Sequence, residues 1–403
     1  MSSLNRSFSA LAASYQPQIV RFAAELIRIP SYSLDERAVA DRIRAEMKAL
    51  GYDDVVRDAY GNLFGILRGT GGGASVTLNC HMDIVHEGDA ALWRYPPFSG
   101  IVAEGRLWGR GASDTKGTLA IQLYAPIILR NAGLLPRGDT VTACVVAEES
   151  PGYGTQMQCR DSFLLTDYAI LGEATENDIA IASRGRCCIC IRISGRACHA
   201  AAVSGNTVFD YLERLLPALK TVPLANDPVL DRSSMNITKI ESSEPGSNVV
   251  PASLTLYCDY RQVGEDTFAR AAEKVQQVLN GIHMEGIRAS LSILEVPVCT
   301  YTGHTDSAVQ GEPPFSSDAS APYLLRAKKA LEAAVGHPVQ MKCWPFATDA
   351  GHYAAKNVRV LGYSPAEASL CHTSSDSISL SAMAEATAGY LALLTTLANS
   401  EKP

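Results

Sequence analysis

The sequence predicts an α/β fold with a smaller α+β unit inserted into it. Through the first 185 residues, short β-type runs alternate with helical or loop segments, the pattern of a sheet covered by helices on both faces. From residue 186 the order becomes β-α-β-β-α-β, the split βαβ arrangement of ferredoxin-like units. After residue 297 a polar stretch leads to a further helix and strand that look like more of the first part. Residues 1–185 and 297–403 are thus expected to form the main domain, and 186–296 the insertion.

Taken in order, SLDERAVADRIRAEMKALGY reads as a helix. Ser33 and Glu36 have capping-box spacing, Val39, Ile43, Met47 and Leu50 form an apolar stripe, and Gly51 supplies the stop. NLFGILRG, SVTLNCHMDIV, TVTACVVAE and DYAILGE read as strands, with TLAIQLYAPIILRNAGL a helical segment among them. The insertion offers strands RGRCCICIRISGR, SMNITKI, SLTLYCDYRQ and RASLSILEV, and helices NTVFDYLERLLPALK and TFARAAEKVQQVLNGI. The last part adds helix APYLLRAKKALEAAVG and strand NVRVLGY. Cys187, Cys188 and Cys190 lie in an alternating run with no zinc-knuckle spacing, so they read as structural thiols.

A chain of 403 residues with 47% hydrophobic and 19% charged residues has the composition of a soluble globular protein. A net charge of −7 without a long basic run gives no support to a nucleic-acid or acidic-membrane partner. No apolar stretch is expected to reach membrane-spanning length, and the segment after Arg6, FSALAAS, is too brief for a signal peptide. Eleven irregularly spaced cysteines favour reduced thiols and a cytoplasmic location over a disulfide framework.

Chemistry enters at VTLNCHMDIVHEGD, where alternation puts His81 and Asp83 on one face and Val76, Leu78, Cys80, Met82 and Ile84 on the other. That spacing suits a metal-binding imidazole whose second nitrogen is held by a carboxylate, and equally a surface hydrogen bond. Asp114 stands in a glycine-rich turn before a helix, where an N-cap aspartate would look the same. Glu148 and Glu149 follow one strand, Glu173 another, and His372 lies in a loop after a late strand. In open α/β sheets ligands gather outside the carboxyl ends of the strands. His81, Glu149 and Glu173 all fall there, which makes one shared site the better reading.

In order, HMDIVHEGDAALWRYPPFSG, GRLWGRGASDTKG, AEES, LGEAT and CHTSSDS resemble the M20 family of metallopeptidases and deacylases across nearly the whole chain. Its members include acetylornithine deacetylase, succinyl-diaminopimelate desuccinylase and carboxypeptidase G2, and the YgeY-like branch is particularly similar. The resemblance implies a zinc-exopeptidase-like catalytic domain with a mixed sheet, and an inserted ferredoxin-like lid that also dimerises. It implies two Zn²⁺ per subunit, in a carboxylate-rich site that also suits Co²⁺ or Mn²⁺. His81, Asp114 and Glu173 would hold one ion, and Asp114, Glu149 and His372 the other, with Asp114 bridging and its bond to Thr115 cis. Asp83 would orient His81, and Glu148 would be the general base.

The same resemblance gives His199, in GRACHAA, a role in the partner's site, donating to the carbonyl oxygen as charge builds there. Asn248 and Arg261 fall where the family binds the substrate's carboxylate, and Thr348 and Asp349 in a pocket-lining loop. The expected reaction is hydrolysis of an amide next to a free carboxylate, as in an N-acyl amino acid, by an activated water with a glutamate base. A dipeptidase or aminopeptidase of the same family, a cysteine-dependent amidase and a non-catalytic binding protein are the alternatives. The family's usual GEP is GEA here and the usual VP is VH, departures that touch no ligand but leave pocket shape open. His86, His283, His304, His337 and His352 carry no assignment.

Overall fold

The computed structural model describes residues 3–403, apart from the side chains of residues 3–7, Arg6 among them. A nine-stranded mixed sheet forms its larger part. Its central strands run Thr140–Val145, Val76–His81, Tyr168–Leu171 and Arg359–Gly362, each parallel to the next. Leu63–Leu67 and Asp54–Arg57 extend one side by antiparallel pairing.

Alternation along these strands feeds two cores. Val76, Leu78 and Cys80 face a cluster shared with helices Ser3–Ile27, Gly117–Asn131, Pro322–Val335 and Leu380–Leu397. Ala169 and Leu171 face the other side, under Trp344, Ala350 and Tyr353. A sheet covered on both faces needs apolar residues on both, which explains why Val76–His81 is buried along its whole length.

Two expectations are corrected here. Helix Leu380–Leu397, with a mean hydropathy of 1.2 over 18 residues, meets the length and composition of a membrane span, although none was expected. It packs against the other three helices of the core, and Tyr390, Leu391, Leu393, Leu394 and Leu397 are buried there. The capping box at Ser33 and Glu36 is also not formed. Helix Arg37–Leu50 has no side-chain cap, because both residues bond elsewhere: Ser33 Oγ donates to Asp83 Oδ2 at 2.6 Å, and Glu36 Oε1 accepts from Ala147 N at 2.9 Å. The stop is as expected, with Gly51 left-handed at φ 76°.

The inserted segment builds an antiparallel sheet in the order Ser234–Ser242, Ser253–Gln262, Gly185–Ser194, Arg288–Ile293. Helices Val208–Leu219 and Phe268–Asn280 cover one face, and Ile189, Ile191, Leu256 and Tyr260 pack with Leu215 and Val275 in a core of their own. All eleven cysteines are free. The stretch after residue 297, expected to be polar, instead completes a ribbon of Glu295–Cys299 with Thr305–Val309 and a short strand, Gly311–Glu312, on the inserted sheet. Val296, Val298 and Ala308 are more buried than their immediate neighbours, an alternation too short to stand out in the sequence.

Candidate metal centre

Three neighbouring parallel strands deliver the site. Val76–His81 ends on His81, Thr140–Val145 leads to Glu148 and Glu149, and Tyr168–Leu171 leads to Glu173. Asp114 comes from the turn before helix Gly117–Asn131, where the Asp114–Thr115 bond is cis, and His372 from a loop at φ 61°.

His81 Nδ1 lies 3.0 Å from the carbonyl oxygen of Asp83. A carbonyl only accepts, so Nδ1 carries the proton of that bond and Nε2 is left to face Asp114 Oδ1 at 2.9 Å and Glu173 Oε1 at 3.6 Å. On the opposite side, His372 Nε2 lies 3.0 Å from Asp114 Oδ2 and 3.0 Å from Glu149 Oε1. Asp114 therefore stands between the two imidazoles, one oxygen towards each.

The Asp83 carboxylate, with Oδ1 3.5 Å from His81 Nδ1, also supports the glutamates. Oδ1 accepts the amide of Glu148 and Oδ2 that of Glu149, both at 3.1 Å. The chain has left the pleat by then: Ala147 is left-handed at φ 50°, and its carbonyl accepts both Gly152 N and Tyr153 N at 2.9 Å. This turn brings both glutamates to one cavity of about 260 Å³, lined also by Asp114, Glu173, Phe346 and His372.

The electrostatics describe a site built for positive charge. Burial pushes Glu173 up to about 8, with Asp114 adding to the effect, and raises Glu149 in the same way. Burial, reinforced by Glu173, holds Glu148 well above the usual carboxylate range. Burial would lower His81, but the bonds to Asp114 and Asp83 hold it well above its ordinary value. Hydrogen bonds to Asp114 and Glu149 push His372 up to about 10. His81, Asp114 and Glu149 bring one donor atom each within 4.8 Å of one another, as do His81, Glu148 and Glu173. Carboxylates crowded this closely at two imidazole nitrogens fit a pair of divalent cations, whose charge would relieve their repulsion.

Several supporting residues were not singled out from the sequence. Asp376 is buried, and its carboxylate accepts Gly111 N at 2.7 Å and Ser113 N at 2.9 Å, tying the His372 loop to the Asp114 turn. Lys116 is buried at the end of that turn and donates to the carbonyls of Leu26 and Ile29 at 3.0 and 2.8 Å. Asp376 lay inside the CHTSSDS motif, four residues after His372, and that spacing was its only signal. Thr348 and Asp349 are buried beside the cavity, and Asp349 Oδ2 accepts from Thr155 Oγ1 at 2.6 Å.

The remaining candidates lie on the inserted unit. His199 and Asn248 are exposed neighbours, joined where Cys198–His199 pairs with Val249–Val250. Arg261 lies near the far end of strand Ser253–Gln262 and pairs with Asp259 at 2.6 Å.

Comparison with known proteins gives the family of the chain. The model of Peptidase family M20/M25/M40 matches residues 77–396. The chain is 25% identical over 387 residues to YgeY of Escherichia coli (strain K12), covering 95% of each. It is 33% identical over 250 residues to succinyl-diaminopimelate desuccinylase of Paracoccus denitrificans (strain Pd 1222), covering 58% of this chain and 65% of that one. Among solved structures, aminopeptidase PepT from Bacillus cereus shares the fold with a TM-score of 0.72 at 18% identity, covering 95% of this chain and 99% of that one. The Bacillus subtilis YXEP protein, described as a dinuclear metal binding peptidase, gives 0.68 at 14% identity over 96% of this chain and 99% of that one. The chain belongs to the M20 family of peptidases and is a hydrolase of amide or peptide bonds.

Proposed function

We propose that this protein is a two-metal amidohydrolase that cleaves an amide next to a free carboxylate, with N-acyl amino acids as its substrates. The observation that carries the two-metal reading is Asp114, whose two oxygens face His81 and His372 at 2.9 and 3.0 Å. His81, Asp114 and Glu173 would hold one Zn²⁺, and Asp114, Glu149 and His372 the second. When bound, the pair supplies a water of lowered pKa and polarises the scissile carbonyl.

The chain's own groups then move the proton. Glu148, lining the same cavity without contacting His372, accepts it from the attacking water and passes it to the departing nitrogen. The C–N bond breaks, leaving a carboxylate and an amine. Asp83 keeps Glu148 aimed by holding its amide. His199 of the partner subunit would donate to the carbonyl oxygen: its Nδ1 accepts Ala201 N at 3.1 Å, which leaves Nε2 as the donor.

That arrangement requires a homodimer through the inserted unit, and an exposed edge there supports it. Strand Ser234–Ser242 is an edge strand, with Ile237 and Ile240 exposed at 37% and 47%, and helix Val208–Leu219 exposes Phe209.

A second reading, a dipeptidase or aminopeptidase, is favoured by one feature. The Glu312 carboxylate packs against Gly152 in the loop after Glu149, where it could pair with a substrate ammonium. Assays of N-acetyl amino acids against unblocked dipeptides, after reconstitution with Zn²⁺, Co²⁺ or Mn²⁺, test the choice. Turnover of free-amine substrates alone would overturn the deacylase reading.

A further inference from the structure

The turn that carries Glu148 is held at four consecutive amides, each by a side-chain acceptor. Val146 N donates to Asn62 Oδ1 at 3.0 Å and Ala147 N to Glu36 Oε1 at 2.9 Å; Glu148 N and Glu149 N donate to Asp83, both at 3.1 Å. Amides that leave a sheet while still buried must find other acceptors. Of these, Glu36 holds the one at the bend.

Glu36 sits 111 residues upstream of Ala147, just before helix Arg37–Leu50, yet it caps nothing there. It is fully buried, and Oε1 also accepts Leu34 N at 2.9 Å, while the buried Oε2 has no partner. Its target is unusual. Ala147 has φ 50°, a left-handed backbone that a residue with a Cβ adopts only when its surroundings hold it there. Loss of that hold would let Ala147 relax towards the extended region and swing the next residue, Glu148, away from the cavity.

We propose that Glu36 is a positioning residue for Glu148, fixing the left-handed bend at Ala147 through its bond to the Ala147 amide. The proposal rests on the reading of Glu148 as the base. It also accounts for the Ser33–Glu36 pair, which the helix does not use: Ser33 bonds Asp83 and Glu36 bonds Ala147, so one loop braces both supports of the turn. Burial, with Asp83 beside it, pushes Glu36 up to about 8, so glutamine is a close stand-in for its neutral form.

The test compares Glu36→Ala, Glu36→Asp and Glu36→Gln with Glu148→Gln in the metal-reconstituted enzyme, alongside hydrogen exchange of the metal-free protein. Glu36→Ala is expected to lower kcat about 10²-fold, the scale of a 1 Å misplacement, with KM and metal content unchanged. Amides 146–149 should exchange faster in that variant without any metal present. Glu36→Gln should restore both the turnover and the slow exchange. If Glu36→Ala does not fold, Glu36→Asp, one methylene too short to reach Ala147, should show the same loss.

Wild-type kcat in the Ala or Asp variant, or loss of metal in place of kcat, would overturn the proposal. Full activity in Glu148→Gln would instead overturn the base reading. An inactive Glu148→Gln beside a fully active Glu36→Ala would sink the role of Glu36 alone.

Discussion

Asp83 Oδ1 accepts the backbone amide of Glu148 at 3.1 Å, while the carbonyl of the same Asp83 lies 3.0 Å from His81 Nδ1. One residue thus sets the direction of an imidazole ligand and of its neighbouring carboxylate.

Asp83→Asn places a donor where one of two amide N–H groups or the Ser33 hydroxyl now finds an acceptor. Metal affinity is expected to fall roughly 10–100-fold, the usual cost of a lost supporting partner. Metal titration of the purified protein checks this, and unchanged affinity would separate Asp83 from the centre.

The two adjacent glutamates should respond differently. Glu148→Gln is expected to keep its metal and lose about 10²–10⁴-fold in kcat. Glu149→Gln, altering the group 3.0 Å from His372, should lose metal first. Metal analysis beside single-turnover kinetics distinguishes them, and the opposite pattern would exchange their roles.

Complementation tests the dimer. Glu148→Gln and His199→Ala homodimers should each be nearly inactive. Random mixing creates dimers with one intact site, so activity should recover to about one quarter of wild type in a two-fold symmetric pair. No recovery in proven mixed dimers would place His199 outside the partner's site. Ile240→Lys on the exposed edge should shift sedimentation towards monomer.

A thiol mechanism is disfavoured by the site. Burial raises Cys80 and Cys371 well above the ordinary thiol range, so neither offers a thiolate at neutral pH. Cys371→Ala is expected to stay within a few-fold of wild-type activity, whereas a chelator should abolish turnover reversibly. Chelator-resistant activity lost in Cys371→Ala would reverse that conclusion.

Glu312 gives a pH signature. Burial, with Asp349 adding and Arg186 and Arg261 opposing, pushes it from 4.5 up to about 8. Between those values the folded protein binds the proton that the unfolded chain has released, so this contribution is lost as pH rises through the window. Glu312→Gln should therefore gain stability over wild type progressively from pH 5 to pH 8, on the order of a few kcal/mol at the upper end. Denaturation at several pH values measures this; parallel curves for the two proteins would refute it.

The legible part of the site was the part written in short motifs. His81, Asp114, Glu149, Glu173 and His372 each follow a strand or open a turn, and strand order alone places such ends on one side of a parallel sheet. The inserted unit was legible for a similar reason, since its alternating strands and amphipathic helices carry their periods locally. Glu36 was misread because Ser33 and Glu36 satisfy the spacing of a cap, and spacing cannot tell a helix's own amides from those of a turn far along the chain.

By itself, then, the sequence determined which residue types stand at the strand ends, the α/β class and the inserted β-α-β-β-α-β unit. Only the tertiary structure decided that Asp83 supports His81 and both glutamate amides at once. Only it showed that His199 and Asn248 are neighbours across a short strand pair, while Arg261 sits near the far end of Ser253–Gln262. The physical reason is range. Periodicity and turn chemistry act over a few residues and leave a local trace, whereas the acceptor of a buried amide is whatever group packing brings within about 3 Å, from anywhere in the chain.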